Sequence, residues 1–315
     1  ERLRKENCKG RLIMQVHDEL IIEAPESEAE KAMLAEFEAG NYTLENPLVK
    51  YNPYFINPLA AVVLFKTEKP TVITVTVKGK TKAADFTHTF PKATTHILPV
   101  LGLYANYNNT VEITPYRGET KVINIEVGDV VPDILEYCDT TPEYFQDNVM
   151  VISPAEISRA RAFDYAGDVR WYLDALCVFD YKRLKNGNLL IGTDRLLKIP
   201  YYMSGIYEMT MVGKIVKEFS IPGGYHHDQF EMEDGNLLIL TEDLTSETVE
   251  DMCVLVDRNS GEILKTWDYK DFLDPTKVAH SGSWTEEDWF HNNAVWYDKN
   301  TDSLTFSGRH VDAMI

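Results

Sequence analysis

Leu184-Lys185-Asn186-Gly187-Asn188-Leu189-Leu190-Ile191 returns 48 positions later as Met232-Glu233-Asp234-Gly235-Asn236-Leu237-Leu238-Ile239-Leu240. In each copy a polar Asx-Gly pair gives the backbone freedom of a tight turn, and the apolar run behind it reads as a buried strand. A looser copy stands at Lys299-Asn300-Thr301-Asp302-Ser303-Leu304-Thr305-Phe306. Between the copies, the runs from Gly213 to Phe219 and from Asp257 to Trp267 read as outer-strand hairpins turning on glycine. A repeat of this length suits one four-stranded propeller blade, typically about 40 to 50 residues. The longer interval before the third copy predicts an insertion around Asp271 to Trp284. Residues 149–315 hold roughly three blades at that length, fewer than the four or so that close a ring, so the expectation is an open, incomplete propeller.

Upstream the period changes. From Asn57 onward apolar and polar residues alternate, as in Thr71-Val72-Ile73-Thr74-Val75-Thr76-Val77 before the turn Lys78-Gly79-Lys80. Further strand-like runs lie at Ala60 to Phe65, Phe86 to Phe90, Thr95 to Val100, Asn109 to Pro115 and Lys121 to Val127. Short strands punctuated by Pro, Gly and Asn predict a sandwich of the immunoglobulin type rather than a βα unit. Nothing in it reads as catalytic; His88 and His96 are read as packed or surface histidines.

The first residues have another character. Arg11-Leu12-Ile13-Met14-Gln15-Val16-His17-Asp18-Glu19-Leu20 reads as strand, turn and strand, and Pro25-Glu26-Ser27-Glu28 opens a short Glu/Ala/Lys-rich helix. The string resembles the third palm motif of family A DNA polymerases, in which the Asp helps hold the catalytic metal ions. A two-metal site needs a second carboxylate and a nucleotide-binding fingers helix, and neither is recognisable. Asp18 and Glu19 are therefore read as relics of a gene fusion or an assembly artefact. The expected division is 1–38 polymerase-like, 39–130 β-sandwich and 131–315 partial propeller.

The 31 basic and 50 acidic residues give a formal charge of -19, which repels phosphate backbones and argues against nucleic acid as a partner. No apolar run approaches the roughly 20 residues that span a bilayer, so no membrane partner is expected. Cys8, Cys138, Cys177 and Cys253 form no C-x-x-C pair and are read as buried free thiols. Glu1-Arg2-Leu3-Arg4-Lys5-Glu6 lacks the basic and apolar regions of a signal peptide. Against so negative a field, any cluster of Arg, His and amide donors stands out.

Three such clusters fall at equivalent places in the repeat: Tyr225-His226-His227-Asp228, Asp288-Trp289-Phe290-His291-Asn292-Asn293, and Ser307-Gly308-Arg309-His310. Inner strands of neighbouring blades converge, so polar residues far apart in sequence can meet around one small anion. A sulfuryl or phosphoryl group carries its charge on peripheral oxygens, which Arg, protonated His and Asn amides are suited to hold. Imidazole also serves as nucleophile, acid or base near neutral pH. A metal-dependent hydrolase is a second reading, because His226, His227, Asp228, His291 and His310 are acceptable zinc or iron ligands. Arg309 opposes it, since a fixed cation beside a metal is unfavourable unless an anion lies between them. The sequence reading accordingly assigns no metal and no cofactor. A non-catalytic propeller that only captures an anion is the other alternative.

Asn52-Pro53-Tyr54-Phe55-Ile56-Asn57-Pro58-Leu59, Gly223-Gly224-Tyr225-His226-His227-Asp228 and the stretch from Asp288-Trp289-Phe290-His291-Asn292-Asn293 to Ser307-Gly308-Arg309-His310 together resemble the arylsulfate sulfotransferases, from about Asn41 to Ile315. The resemblance implies an all-β chain: an N-terminal immunoglobulin-like β-sandwich followed by about half of a six-bladed-type β-propeller. It implies transfer of a sulfuryl group from an aryl sulfate donor to a phenol acceptor without the nucleotide sulfate donor, by a ping-pong reaction through a sulfated histidine. By resemblance His291, Asn293 and Arg309 match sulfuryl-binding positions. His227 matches another, with His226 beside it as a possible counterpart. The family's nucleophilic histidine lies in a later blade and no residue here matches it, so the expectation is a truncated, inactive chain. His310 is not assigned that role. The resemblance also implies a homodimer and a periplasmic or secreted location for the whole enzyme.

Overall fold

A continuous apolar run at residues 59–65 and an alternating one at residues 71–77 organise the first of two units in the computed structural model, which describes residues 11–16, 19–23, 26–130, 135, 137–145, 148–152, 158–179, 181–278 and 280–315. That unit comprises Glu1–Ile152, Ala160–Asp174 and Val212–Lys214. Its elements are β1 (Arg11–Val16), β2 (Glu19–Glu23), α1 (Glu26–Ala39), β3 (Leu48–Tyr51), β4 (Ala60–Val77), β5 (Phe86–Leu101), β6 (Tyr107–Pro115) and β7 (Lys121–Val127). β8 (Met150–Ile152), β9 (Ser158–Phe163) and β10 (Val169–Cys177) form a further small sheet. β1 and β2 pair antiparallel, the two strands that the polymerase-like string predicts. His17 and Asp18, where the turn is expected, lie outside the described residues, as does Cys8.

β4 and β5 run the length of the sandwich and curl through it. The β4 residues before Lys66 pair with β3 on one side and β5 on the other. After a register break between Lys66 and Thr71, β4 pairs with β5 and β6, and β6 pairs with β7. A register irregularity sharpens the twist, which lets one long strand serve both layers. Because side chains alternate along a strand, Leu59, Ala61, Val63, Phe65, Ile73, Val75 and Val77 enter the main core with Leu98, Val111 and Ile113. The opposite face of the same strand, Ala60, Val62 and Leu64, packs on Met33 and Phe37 of α1, which lie one helical turn apart. Full burial of a side chain of this size stabilises by about 1.5–3 kcal/mol, so α1 is held by its apolar stripe, and its exposed Lys66–Glu38 pair adds little. His96 is buried against Phe65, with ring centroids 4.8 Å apart, whereas His88 is exposed beside Phe90.

One charge pair is wholly interior to this unit. The Arg170 guanidinium lies between the rings of Phe86 and Tyr104, at 4.1 and 4.0 Å. It donates to the Gly102 and Ala84 carbonyls and, at 2.8 Å, to Asp164 Oδ2. The other Asp164 oxygen accepts the amides of Ala166 and Asp168 and shapes their turn.

The second unit comprises Ser153–Arg159, Ala175–Met211 and Ile215–Ile315. Its strands are β11 (Lys182–Arg183), β12 (Leu189–Gly192), β13 (Leu196–Lys198), β14 (Tyr202–Met209), β15 (Ile215–Tyr225), β16 (Gln229–Glu231), β17 (Leu237–Thr241), β18 (Met252–Val256), β19 (Ile263–Asp268), β20 (Asn292–Asp298), β21 (Ser303–Gly308) and β22 (Ala313–Met314). They build propeller-type blades. β11, β12, β14 and β15 pair in that order with β13 beside β14, β16 to β19 form a four-stranded meander, and β20 to β22 a third sheet. The repeated motif makes the same turn twice: Gly187 donates to the Leu184 carbonyl and Gly235 to that of Met232, at φ +86° and +89°. In the looser third copy Asp302 takes the left-handed position at φ +50°, which Asp tolerates better than most residues.

The middle blade has a core on each side. Leu237 and Ile239 pack with Ile206, Phe219 and Tyr225 of the preceding sheet. Leu238 and Leu240 pack with Trp289, Phe290 and Phe306 of the following one. The described residues from 272 to 291 contain no strand, as the predicted insertion requires. Cys177 and Cys253 are buried thiols, but Cys138 is exposed; this corrects the expectation for it, because Cys138 lies in the irregular stretch before β8, where no strand covers it.

Arg258 clamps two blades, donating to Glu208 on β14 and to Glu231 on β16. Burial pushes the Glu208 carboxyl up, but hydrogen bonds from Arg258, Asn188 and Asn186 outweigh it and hold the group below its ordinary 4.5. The folded chain therefore binds this proton less readily than the unfolded one, so the stabilisation is full above pH 4.5 and is lost as pH falls through the lowered value. Arg258→Ala should cost about 2 kcal/mol near neutrality. Urea titrations across pH should find the gap between wild type and variant closing in acid; a gap independent of pH would refute the clamp.

Candidate functional site

The three clusters meet at the strand ends of the second unit. His226 and His227 lie in the turn from β15 to β16, Glu250 just before β18, Asp288 to His291 just before β20, and Arg309 and His310 just after β21. Backbone bonds fix these loops to one another. The Asn292 amide donates to the Glu250 carbonyl, the Arg309 amide to that of His291, and the His226 amide to that of Leu240. Gly223 is required nearby, since a Cβ there would stand 1.7 Å from the Glu242 carbonyl oxygen. His227, Glu250 and His291 all adopt left-handed backbone, at φ +52°, +55° and +54°, a conformation costing a non-glycine residue roughly 1–2 kcal/mol.

Glu250 is the hub. It is 1% exposed, and its Oε1 accepts the hydroxyls of Tyr201 at 2.7 Å and Tyr202 at 3.0 Å. Its Oε2 lies 3.1 Å from His291 Nδ1 and 3.7 Å from His227 Nδ1. His291 Nδ1 is closer still to Asp288 Oδ2, at 2.7 Å. The carboxylate can only accept, so Nδ1 carries the hydrogen, and the opposite ring nitrogen, Nε2, stands 3.4 Å from Arg309 Nη1. His310 is buried, donates from Nδ1 to the Asp288 carbonyl at 2.6 Å, and packs on the His291 ring at 4.5 Å.

Burial, followed by the charge repulsion that His226, His291 and Arg309 would exert on an imidazolium, drives His227 down to about 2. Burial likewise lowers His226, against the pull of Glu250. The Tyr201 and Tyr202 hydroxyls are raised, first by burial and then by the Glu250 charge, so both remain donors. Phe179 covers His227 at 4.3 Å, and Tyr201 closes the same wall. Asp251, fully buried, accepts Thr248 Oγ1 at 2.6 Å, Lys270 Nζ at 2.7 Å and Trp289 Nε1 at 2.8 Å on one oxygen. It thereby anchors the residue next to Asp288.

Of the sequence-predicted residues, His227, His291 and Arg309 come together, with the His227 and His291 rings 5.1 Å apart. Asn293 lines a cleft of about 430 Å³ with Arg309, Ser307 and Asp312. His226 lies fully buried behind His227, and its Nε2 is 3.1 Å from the Thr241 carbonyl. Asp228, a candidate ligand from sequence, is spent on structure: its oxygens take the Gln229 and Val295 amides and pair with Lys182. Glu250, Tyr201 and Tyr202 escaped the sequence reading altogether.

Residues 135–315 match the family model described as arylsulfotransferase (ASST), and residues 48–128 match that of the arylsulfotransferase Ig-like domain. The arylsulfate sulfotransferase AssT of Lelliottia amnigena is 23% identical over an alignment of 365 residues, covering 82% of this chain and 60% of that protein. AssT of Escherichia coli O6:H1 (strain CFT073) is 23% identical over 207 residues, covering 47% of this chain and 33% of that protein. The chain thus spans between a third and three fifths of the length of these relatives. A crystal structure of a protein of unknown function from Bacteroides caccae is 14% identical with a TM-score of 0.33, covering 76% of this chain and 82% of that one. It is too distant to bear on the site.

Proposed function

Because the chain belongs to the arylsulfotransferase family, we propose that its cluster of His227, His291, Asn293 and Arg309 is the sulfuryl-binding part of an enzyme that moves sulfate between phenols. The observation that carries this reading is the convergence of His291 Nε2 and Arg309 Nη1, 3.4 Å apart, beside His227. Arg309 supplies a fixed positive charge with several donors, and Asn293 shares its cleft. His291, oriented by Asp288 and Glu250 through Nδ1, presents Nε2 to the sulfuryl oxygens or to the bridging phenol oxygen. His227, retaining 15% side-chain exposure, faces the ligand in preference to His226 behind it.

The reaction runs in two halves. A histidine nitrogen forms a bond to sulfur as the S–O bond to the donor aryl group breaks, and the phenol departs with a proton. The acceptor phenol then gives up its proton, attacks sulfur and releases the imidazole. None of His226, His227, His291 and His310 is assigned as the nucleophile, and the part of the reaction given to these residues is the binding of aryl sulfate. The complete enzyme works as a homodimer in the periplasm or outside the cell. Among the described residues no helix is long and apolar enough to cross a membrane.

Aryl sulfate affinity and phenol release, measured on the purified chain, test this. Saturable binding that weakens by about 10- to 100-fold in Arg309→Ala and partly recovers in Arg309→Lys is the expected result. Binding indifferent to Arg309 removes the reading, and turnover by this chain makes one of its own histidines the nucleophile.

A further inference from the structure

Two histidines and a carboxylate converge beside the anion cluster. One ring nitrogen of His226, one of His227 and one carboxylate oxygen of Glu250 all lie within 4.8 Å of one another. Neighbouring pairs are 3.1 Å apart for the two nitrogens and 3.7 Å for His227 to Glu250. A tetrahedral zinc ion with bonds of about 2.0–2.2 Å separates its ligand atoms by roughly 3.3–3.6 Å, a range that the two distances bracket, so shifts of a few tenths of an ångström bring these pairs to ligand spacing. We propose that His226, His227 and Glu250 form a divalent-cation site of the zinc class, each giving one of those atoms.

The surroundings prepare each ligand. His226 Nε2 faces the Thr241 carbonyl, which can only accept. Nε2 therefore carries the hydrogen, and the Nδ1 lone pair turns toward the cluster, the usual outer-shell device for a metal-binding imidazole; without a cation it accepts from His227 Nδ1, whose hydrogen a bound cation would displace to Nε2 of that ring. Glu250 is anchored through Oε1 by two tyrosine hydroxyls, while the buried Oε2 accepts no hydrogen bond: His291 Nδ1 is 3.1 Å away, but its hydrogen is shared with the nearer Asp288 carboxylate. A buried carboxylate oxygen so poorly satisfied is costly, and a cation would complete it.

The charge balance agrees. Lys198 pairs with Glu242 and Lys270 with Asp251, leaving Glu250 and Asp288 against Arg309. The sequence argument against a metal rested on Arg309. His291 presents Nδ1 to Glu250 and Nε2 to Arg309, so its ring stands between that cation and the site. The neighbouring group of Asp288, His291 and His310 also converges. Its Nδ1 atoms already donate to the Asp288 carboxylate and carbonyl, so their lone pairs are not on offer. A cation held by the first triad would add positive charge next to His291, where the proposed function needs it.

Cation binding is read without substrate, so its outcome is separate from that of the sulfuryl assay. The chelator-stripped chain is titrated with Zn²⁺ by calorimetry and with Co²⁺ by visible absorption. One equivalent of each, with the intense spectrum of tetrahedral cobalt, is the expected result. His226→Gln and Glu250→Gln should each weaken binding by tenfold or more, and the paired Tyr201→Phe/Tyr202→Phe change by about 10- to 100-fold. Should a variant fail to fold, the wild-type chain still decides the matter, because zinc that binds only the folded form raises its Tm. No uptake and no rise in Tm at excess zinc overturns the proposal. So does affinity that follows Asp288→Asn and His310→Gln instead of the first triad.

Discussion

Asp251→Ala should destabilise the second unit by about 3–5 kcal/mol and weaken aryl sulfate binding with it, although residue 251 touches neither His291 nor Arg309. One carboxylate oxygen takes Thr248, Lys270 and Trp289 together. Removing it leaves the indole N–H without its acceptor inside the protein and Lys270 with only Asp268 and Thr248, and the lost partner costs more than the bond itself contributed. Trp289 is fully buried and precedes the segment that carries His291. Once its indole is free to shift, Asp288 no longer fixes the His291 ring. Asp251→Asn keeps an acceptor at the same place and should lose much less. Urea unfolding gives the stability, and calorimetry with an aryl sulfate gives the affinity. Equal losses from Ala and Asn would mean that charge alone, not the three-way junction, holds the tryptophan.

A comparable loss, again about 3–5 kcal/mol, should follow Arg170→Ala in the first unit, through a different cause. Asp164 is 1% exposed, and without the guanidinium it becomes a buried charge with only turn amides and the Tyr104 hydroxyl, 3.4 Å away, to satisfy it. The space between Phe86 and Tyr104 also empties. Arg170→Met refills that space, so the part of the loss that survives in it is electrostatic. Adding Asp164→Asn to Arg170→Met should then restore stability, a non-additive pair of the kind expected for contacting residues. Strict additivity in that double-mutant cycle would show that Arg170 acts through packing alone.

The blades were legible because their signal is local. An Asx-Gly turn followed by Leu-Leu-Ile needs no distant partner to be read, and both copies fold identically. The curl of β4 was less so: alternation marked the strand, but nothing in the Lys66-Thr67-Glu68-Lys69-Pro70 stretch announced that one 18-residue strand would continue through it. His291 and Arg309 could be found since each sits in a string carrying several polar donors. Glu250 could not. It lies among Glu247, Asp251 and other acidic residues of a loop without period, and its place depends on a backbone bond to Asn292, in the next blade. The same limit misled the reading of Asp228, whose sequence context displays a ligand type but not the Val295 amide and Lys182 that occupy it.

The left-handed backbone shared by His227, Glu250 and His291 has a consequence for how such a chain changes over time. Asn or Gly at any of the three would relieve local strain, so substitutions there would raise the melting point while erasing the ligand cluster. Stability screens, and consensus design that follows them, would drift toward those residues. A variant improved by such selection would be a sturdier blade with an emptied centre, and only a binding measurement run alongside the thermal one would reveal the exchange.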